Sequence, residues 1–192
     1  MRVLLIDVNC KQSSTGKIVY DLHLDLNKYG HKAIICYGRG PLVNEPSVYK
    51  FSSNSEVCVH ALLTRITGLT GCYSYFATRN LIKFMDEFKP DVVHLHELHA
   101  YFANISSIIN YLKRNRIRTV WTFHCEFMYT GKCGHAYECE KWKSECGKCP
   151  QVREYPSSLV FDFTKKMFNE KKELLQDFNN LTIVTPSNWL AD

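Results

Sequence analysis

The sequence has no apolar run near the roughly 18 residues that a membrane-spanning helix needs. Its opening, Met1 to Asp7, has neither the long apolar core nor the small-residue cleavage site of a signal peptide. A cytoplasmic location is therefore expected. No Walker loop and no GxGxxG follow any apolar stretch, so the commonest nucleotide-binding signatures are missing. Lys and Arg number 24 against 19 Asp and Glu, a formal charge of +5, and they form no stripe. Without a basic stripe or a recognition motif, no nucleic-acid partner is expected. The modest charge still suits an anionic ligand or an anionic membrane surface. Low-complexity segments are absent too. With 45% hydrophobic and 22% charged residues over 192 positions, the chain reads as one well-packed globular domain rather than two.

What it has in excess is cysteine, nine in all. Cys10, Cys36, Cys58 and Cys72 are isolated and read as packing or incidental thiols. Cys125, Cys133, Cys139, Cys146 and Cys149 crowd into one stretch, which in a reducing compartment favours a metal site over disulfides.

Apolar runs at Val3–Val8, Ala33–Tyr37, Val92–His96, Thr119–Phe123 and Leu181–Thr185 predict strands buried on both faces, with a shorter one at Val48–Phe51. Between them, helical periodicity covers Lys17–Tyr29, most of residues 56–88 with breaks near Gly68 and Gly71, Phe102 to Arg114, and residues 158–178. Alternation of this kind predicts an α/β fold, a Rossmann-like doubly wound parallel sheet with a Cys-rich loop inserted. Right-handed crossovers bring the strand C-termini to one edge, where ligands bind. Three polar features fall at such ends: the loop running to Gly16, the His94–His96–His99 set, and His124.

Each has a functional and a plain reading. Ser13-Ser14-Thr15-Gly16 precedes the first helix, where free N–H groups suit a phosphate or sugar oxygen. A helix simply capped by a hydroxyl is an equal reading. His94, His96 and His99 could make a zinc trio, although residues lining a polar crevice are favoured over it. His124 either faces the crevice or is a core histidine bonded to backbone. Cys133, Cys139, Cys146 and Cys149 supply the four soft ligands of a tetrahedral zinc, against packing thiols or a redox pair at Cys146 and Cys149. The loop that holds them has little apolar content, with Trp142 as its one large anchor.

Thr122-Phe123-His124, Tyr129-Thr130-Gly131-Lys132-Cys133, Cys139-Glu140-Lys141-Trp142, Cys146-Gly147-Lys148-Cys149-Pro150 and Glu154-Tyr155-Pro156 together resemble a branch of the family 4 glycosyltransferases. That branch builds bacterial surface polysaccharides, including colanic-acid-type and capsular polymers. Lys89 to His96 and Ile183 to Ala191 also look like it. The resemblance implies the N-terminal, acceptor-side half of a GT-B fold over residues 1–192, with the Cys-rich loop at 125–156. A second, nucleotide-sugar-binding domain is expected beyond it, making this chain a fragment or a truncated product.

Further expectations follow from the resemblance. The reaction moves a sugar from a nucleotide-sugar donor to a glycan or polyprenyl-diphosphate-linked acceptor, retaining configuration and needing no catalytic metal. That acceptor places the enzyme at the inner face of the cell membrane. His124 is expected to be catalytic, with Thr15 and Gly16 toward the donor diphosphate. His96, His99 and Glu126 are expected to line the acceptor pocket. The branch usually has Asp and then Cys after the strand-end His, whereas Cys125 and Glu126 stand here, and Cys125 fits poorly into the zinc set. Two other classes compete. One is a non-catalytic, zinc-stabilised glycan-binding half-protein. The other is a nicotinamide-dependent oxidoreductase, disfavoured because no acidic residue ends the second strand at Tyr37.

Overall fold

The apolar run behind Met1 becomes the central strand of the sheet. In a computed structural model, which describes residues 1–191, β1 (Arg2–Asp7) pairs in parallel with β2 (Lys32–Tyr37) on one side and β4 (Val92–Leu95) on the other. β3 (Val48–Lys50) lies beyond β2, while β5 (Arg118–Thr122) and β6 (Leu181–Val184) continue past β4. The order β3-β2-β1-β4-β5-β6, all parallel, is the doubly wound Rossmann-like arrangement that the alternation predicts.

Because strand side chains alternate, β1 divides its residues between two cores. Leu4 and Ile6 join Val93, Leu95 and Trp121 under α3 (Tyr75–Phe88) and α4 (Ile105–Arg114). Val3 and Leu5 join Ala33, Ile35 and Tyr37 under α1 (Ser13–Lys28), whose Val19 is fully buried. In α4, Ile105, Ile108, Ile109 and Leu112 make one buried stripe, and Asn104 caps it by accepting the Ser107 N–H at 2.9 Å. α2 (Asn54–Thr67) ends at Gly68 with φ of 77°, a left-handed stop. Its Glu56 reaches across to cap α3, accepting the N–H groups of Phe76 and Ala77 at 3.0 Å. Among the described residues, no helix is long and apolar enough to cross a membrane.

Several boundaries differ from the sequence reading. α1 starts at Ser13 rather than Lys17, so Gly16 sits inside its first turn. The Ser13 hydroxyl accepts the Gly16 N–H at 3.3 Å, which makes this the hydroxyl-capped start. α4 starts at Ile105, because Phe102 is instead packed over Gly38, where an added Cβ would fall 2.0 Å from the Phe102 ring. Residues 158–163 are not helical. They run along the end of α2, with the Leu159 N–H donating to Arg65 at 2.7 Å, and α5 (Thr164–Leu175) begins after them. A short final helix, α6 (Asn188–Ala191), follows β6.

The Cys-rich loop is also better anchored than its composition suggests. Phe127, Met128 and Ala136 are buried in it. So is Lys132, whose ammonium donates to the carbonyls of Glu154 and Pro156 at 2.6 and 2.8 Å. Trp142 is only partly buried, against Tyr129 at 5.0 Å between ring centres.

Candidate functional site

Strand order reverses between β1 and β4, and the crevice beyond their C-terminal ends is where such sheets hold ligands. Asp7 ends β1, fully buried, and accepts the N–H of Glu97 at 3.1 Å. Burial pushes its carboxyl up to about 6, against the pull of the Val8, Glu97 and Asn9 N–H groups and the Thr15 hydroxyl. Its Oδ2 has no hydrogen-bond partner. Thr15 thus stands beside Asp7. Gly16 packs on Asn9, whose carbonyl oxygen would lie 3.1 Å from an added Cβ. A side chain at this position would crowd the close approach of α1 to the turn after β1, which favours glycine.

Beyond β4 and β5 the histidines meet. His96 Nδ1 lies 3.0 Å from His124 Nε2, with the rings stacked at 5.3 Å. His94 bonds the Thr122 hydroxyl at 2.8 Å and lies 4.2 Å from the His96 ring. Burial lowers all three imidazoles. His94 falls to about 4 with His124 contributing, His96 to about 2 with both neighbours contributing, and His124 falls despite the opposing charge of Glu97. These are neutral rings at pH 7. His96 is 2% exposed, its backbone carbonyl takes the Trp121 indole N–H at 2.9 Å, and its Nε2 has no partner. Two orphaned polar atoms, Asp7 Oδ2 and His96 Nε2, therefore flank the switch point.

His99 turns away from the other histidines. It bonds Glu97 Oε2 through Nδ1 at 2.6 Å and stacks on Phe127 at 4.8 Å. The zinc trio of three histidines does not form; a polar crevice does, lined by His96, Glu97, His99, His124 and Cys125 among others. Burial raises the Glu97 carboxyl, but the bond and charge of His99 outweigh it and hold Glu97 below its ordinary range. Cys125 donates to the same Oε2 at 3.7 Å, and burial pushes its thiol up to about 12.

Glu126 is not brought to the crevice. It is 5% exposed, and its carboxylate accepts the Ala136 N–H and, at 3.2 Å, the Tyr129 hydroxyl, so it serves the Cys-rich loop. The acidic group that does face the crevice is Glu97, which the sequence reading passed over inside His-Glu-Leu-His. Asp7 was visible there only as the one charge in an apolar strand.

Cys133, Cys139, Cys146 and Cys149 line one small cavity together with Trp142. The Cys133 thiol bonds Cys149, which holds Cys149 below the ordinary thiol range and Cys133 well above it. The Gly131 N–H points at Cys146 Sγ, 3.1 Å away. No three of these four sulfurs lie within 4.8 Å of one another.

A parallel sheet in this order, with polar groups converging on its switch point, defines a Rossmann-like ligand-binding domain of the kind found in GT-B enzymes. The sequence model of Glycosyltransferase Family 4 matches residues 15–145, and the chain belongs to that family. It is also 26% identical over its whole length to an Escherichia coli (strain K12) protein named "Putative colanic acid biosynthesis glycosyl transferase WcaC". The chain spans 50% of that relative's length.

Proposed function

We propose that this chain is the acceptor-side half of a retaining glycosyltransferase of surface polysaccharide synthesis, with a nucleotide-sugar donor held mainly by a second domain. The observation that carries the reading is the His96–His124 pair, neutral and half-sheltered at the switch point of a family 4 domain. In this reading His124 offers its free nitrogen to the donor sugar as positive charge develops at the anomeric carbon. Thr15 and the first turn of α1 lie toward the diphosphate. His96 and His99 line the acceptor side, and Glu97 takes the acidic place expected of Glu126.

Same-face attack lets the departing phosphate oxygen take the acceptor's proton. The protein's part is then positioning and charge stabilisation rather than covalent chemistry. The acceptor is a glycan or a polyprenyl-diphosphate-linked sugar, reached at the cytoplasmic membrane face. The four loop cysteines hold a structural zinc. Their shared cavity and the N–H aimed at Cys146 support it, and ion binding must draw the sulfurs closer than they stand.

The test is His124→Ala in a protein that joins this domain to a nucleotide-sugar-binding domain. Transfer should fall by about 10- to 100-fold, the scale of losing one placed polar contact, with the thermal midpoint unchanged. Activity loss that merely tracks unfolding would make His124 a core histidine and remove the reading.

A further inference from the structure

One cluster at the crevice shares His99 and Glu97 with the acceptor side proposed above, and its geometry offers more than that reading asks of it. Glu97, His99 and Cys125 present a carboxylate oxygen, an imidazole nitrogen and a sulfur that all lie within 4.8 Å of one another. They are the one such set among the described residues. Glu97 Oε2 is its hub, 2.6 Å from His99 Nδ1 and 3.7 Å from Cys125 Sγ. The side chains of Glu97 and His99 are each 13% exposed, so the set is sheltered yet reachable from the crevice.

We propose that Glu97, His99 and Cys125 form a binding site for one borderline divalent cation of the zinc class, distinct from the four loop cysteines. The donor set argues for that class. One thiolate, one imidazole and one carboxylate match zinc, whereas magnesium and calcium take oxygen ligands almost exclusively. Three protein ligands leave a fourth tetrahedral position open. Binding is an exchange in which the Cys125 S–H bond breaks, a metal–sulfur bond forms and that proton leaves to solvent. The His99 Nδ1 hydrogen that faces Glu97 is given up in favour of the Nε2–H tautomer, so that Nδ1 of a neutral ring can ligate. A dipositive ion then meets two negative charges and a neutral ring, so the sheltered set is balanced. Glu97 and His99 follow β4 while Cys125 follows β5. An ion here therefore ties two strand exits together beside His124. Its fourth position is left for water or for an oxygen ligand from the crevice.

The competing explanation is a hydrogen-bond hub, with Glu97 merely accepting from His99 and Cys125. Zinc titration of the reduced 192-residue chain against a chromophoric chelator separates the two. Cys125→Ser and His99→Ala should each bind one equivalent fewer than the unmodified chain. Cys139→Ser should leave this equivalent in place, whatever happens at the loop. Folded Cys125→Ser and His99→Ala chains with unchanged stoichiometry would overturn the site. A second readout needs no variant: zinc, but not magnesium, should slow iodoacetamide labelling of Cys125 at least tenfold, read by peptide mass spectrometry. Equal labelling rates with and without zinc would also overturn it.

Discussion

His96 Nδ1 and His124 Nε2 face each other at 3.0 Å, so one of these nitrogens carries a proton and the other does not. The choice fixes both tautomers. If His96 donates, its buried Nε2 is a bare acceptor; if His124 donates, that Nε2 holds a hydrogen with nothing to receive it. Either way one polar atom is left for a ligand, and the pair reads as half of a hydrogen-bond relay.

Burying neutral histidines ties stability to pH. The folded His94 and His96 stay unprotonated down to about 4 and about 2, while the unfolded chain protonates them near 6.5. Between those values the unfolded state binds more protons, so their contribution is complete above pH 6.5 and is lost as pH falls toward 4. Urea unfolding from pH 7 to pH 4.5 should show a declining free energy, and His96→Asn should flatten the decline. An equally steep acid limb in that variant would rule out His96 as a source of it.

Asp7 acts with the opposite sign. Its folded carboxyl, raised from 3.8 to about 6, binds a proton that the unfolded chain has already released, so its contribution is present at low pH and lost as pH rises through 6. In Asp7→Asn the amide oxygen keeps the Glu97 N–H, and any fixed cost of the new amide cancels between two pH values. From pH 4 to pH 8 the variant should gain about 2–3 kcal/mol relative to the unmodified protein. A constant difference across that range would show that Asp7 titrates normally.

The sheet was legible because buried parallel strands are written as unbroken apolar runs, and Leu4, Ile35, Val93 and Trp121 are where such runs place them. The start of α1 was not, since Ser13-Ser14-Thr15 has the same composition whether it forms a loop or a capped first turn. The crevice histidines were found from their strand-end positions. Glu97 was missed because nothing local distinguishes it from Glu126. Which carboxylate turns to the crevice depends on His99 and Ala136, partners supplied by tertiary packing.

If the donor is held mainly by a second domain, as proposed above, this chain alone cannot position an anomeric carbon. Incubated with nucleotide sugars and a glycan acceptor, the 192-residue chain should show negligible transfer. Turnover of roughly 1 per second or more, ordinary for a complete enzyme, would mean that both substrates bind here.

The loop cysteines give the last prediction. Cys133, Cys139, Cys146 and Cys149 line one cavity but do not yet stand at metal spacing, so zinc binding and closure of the loop should be a single event. Four thiolates would leave such an ion no open position, so its expected role is to order structure rather than to catalyse. Phe127, Met128 and buried Lys132 hold the base of the loop without metal, which limits the effect of chelation to its outer part around Trp142. Hydrogen exchange after chelation under reducing conditions should therefore quicken in residues 133–149 while β1, β4 and β5 stay protected. Metal analysis should find one zinc lost from Cys146→Ser that Cys125→Ser retains. If exchange in the loop does not change on chelation, or if Cys146→Ser keeps every equivalent, these four residues are packing thiols.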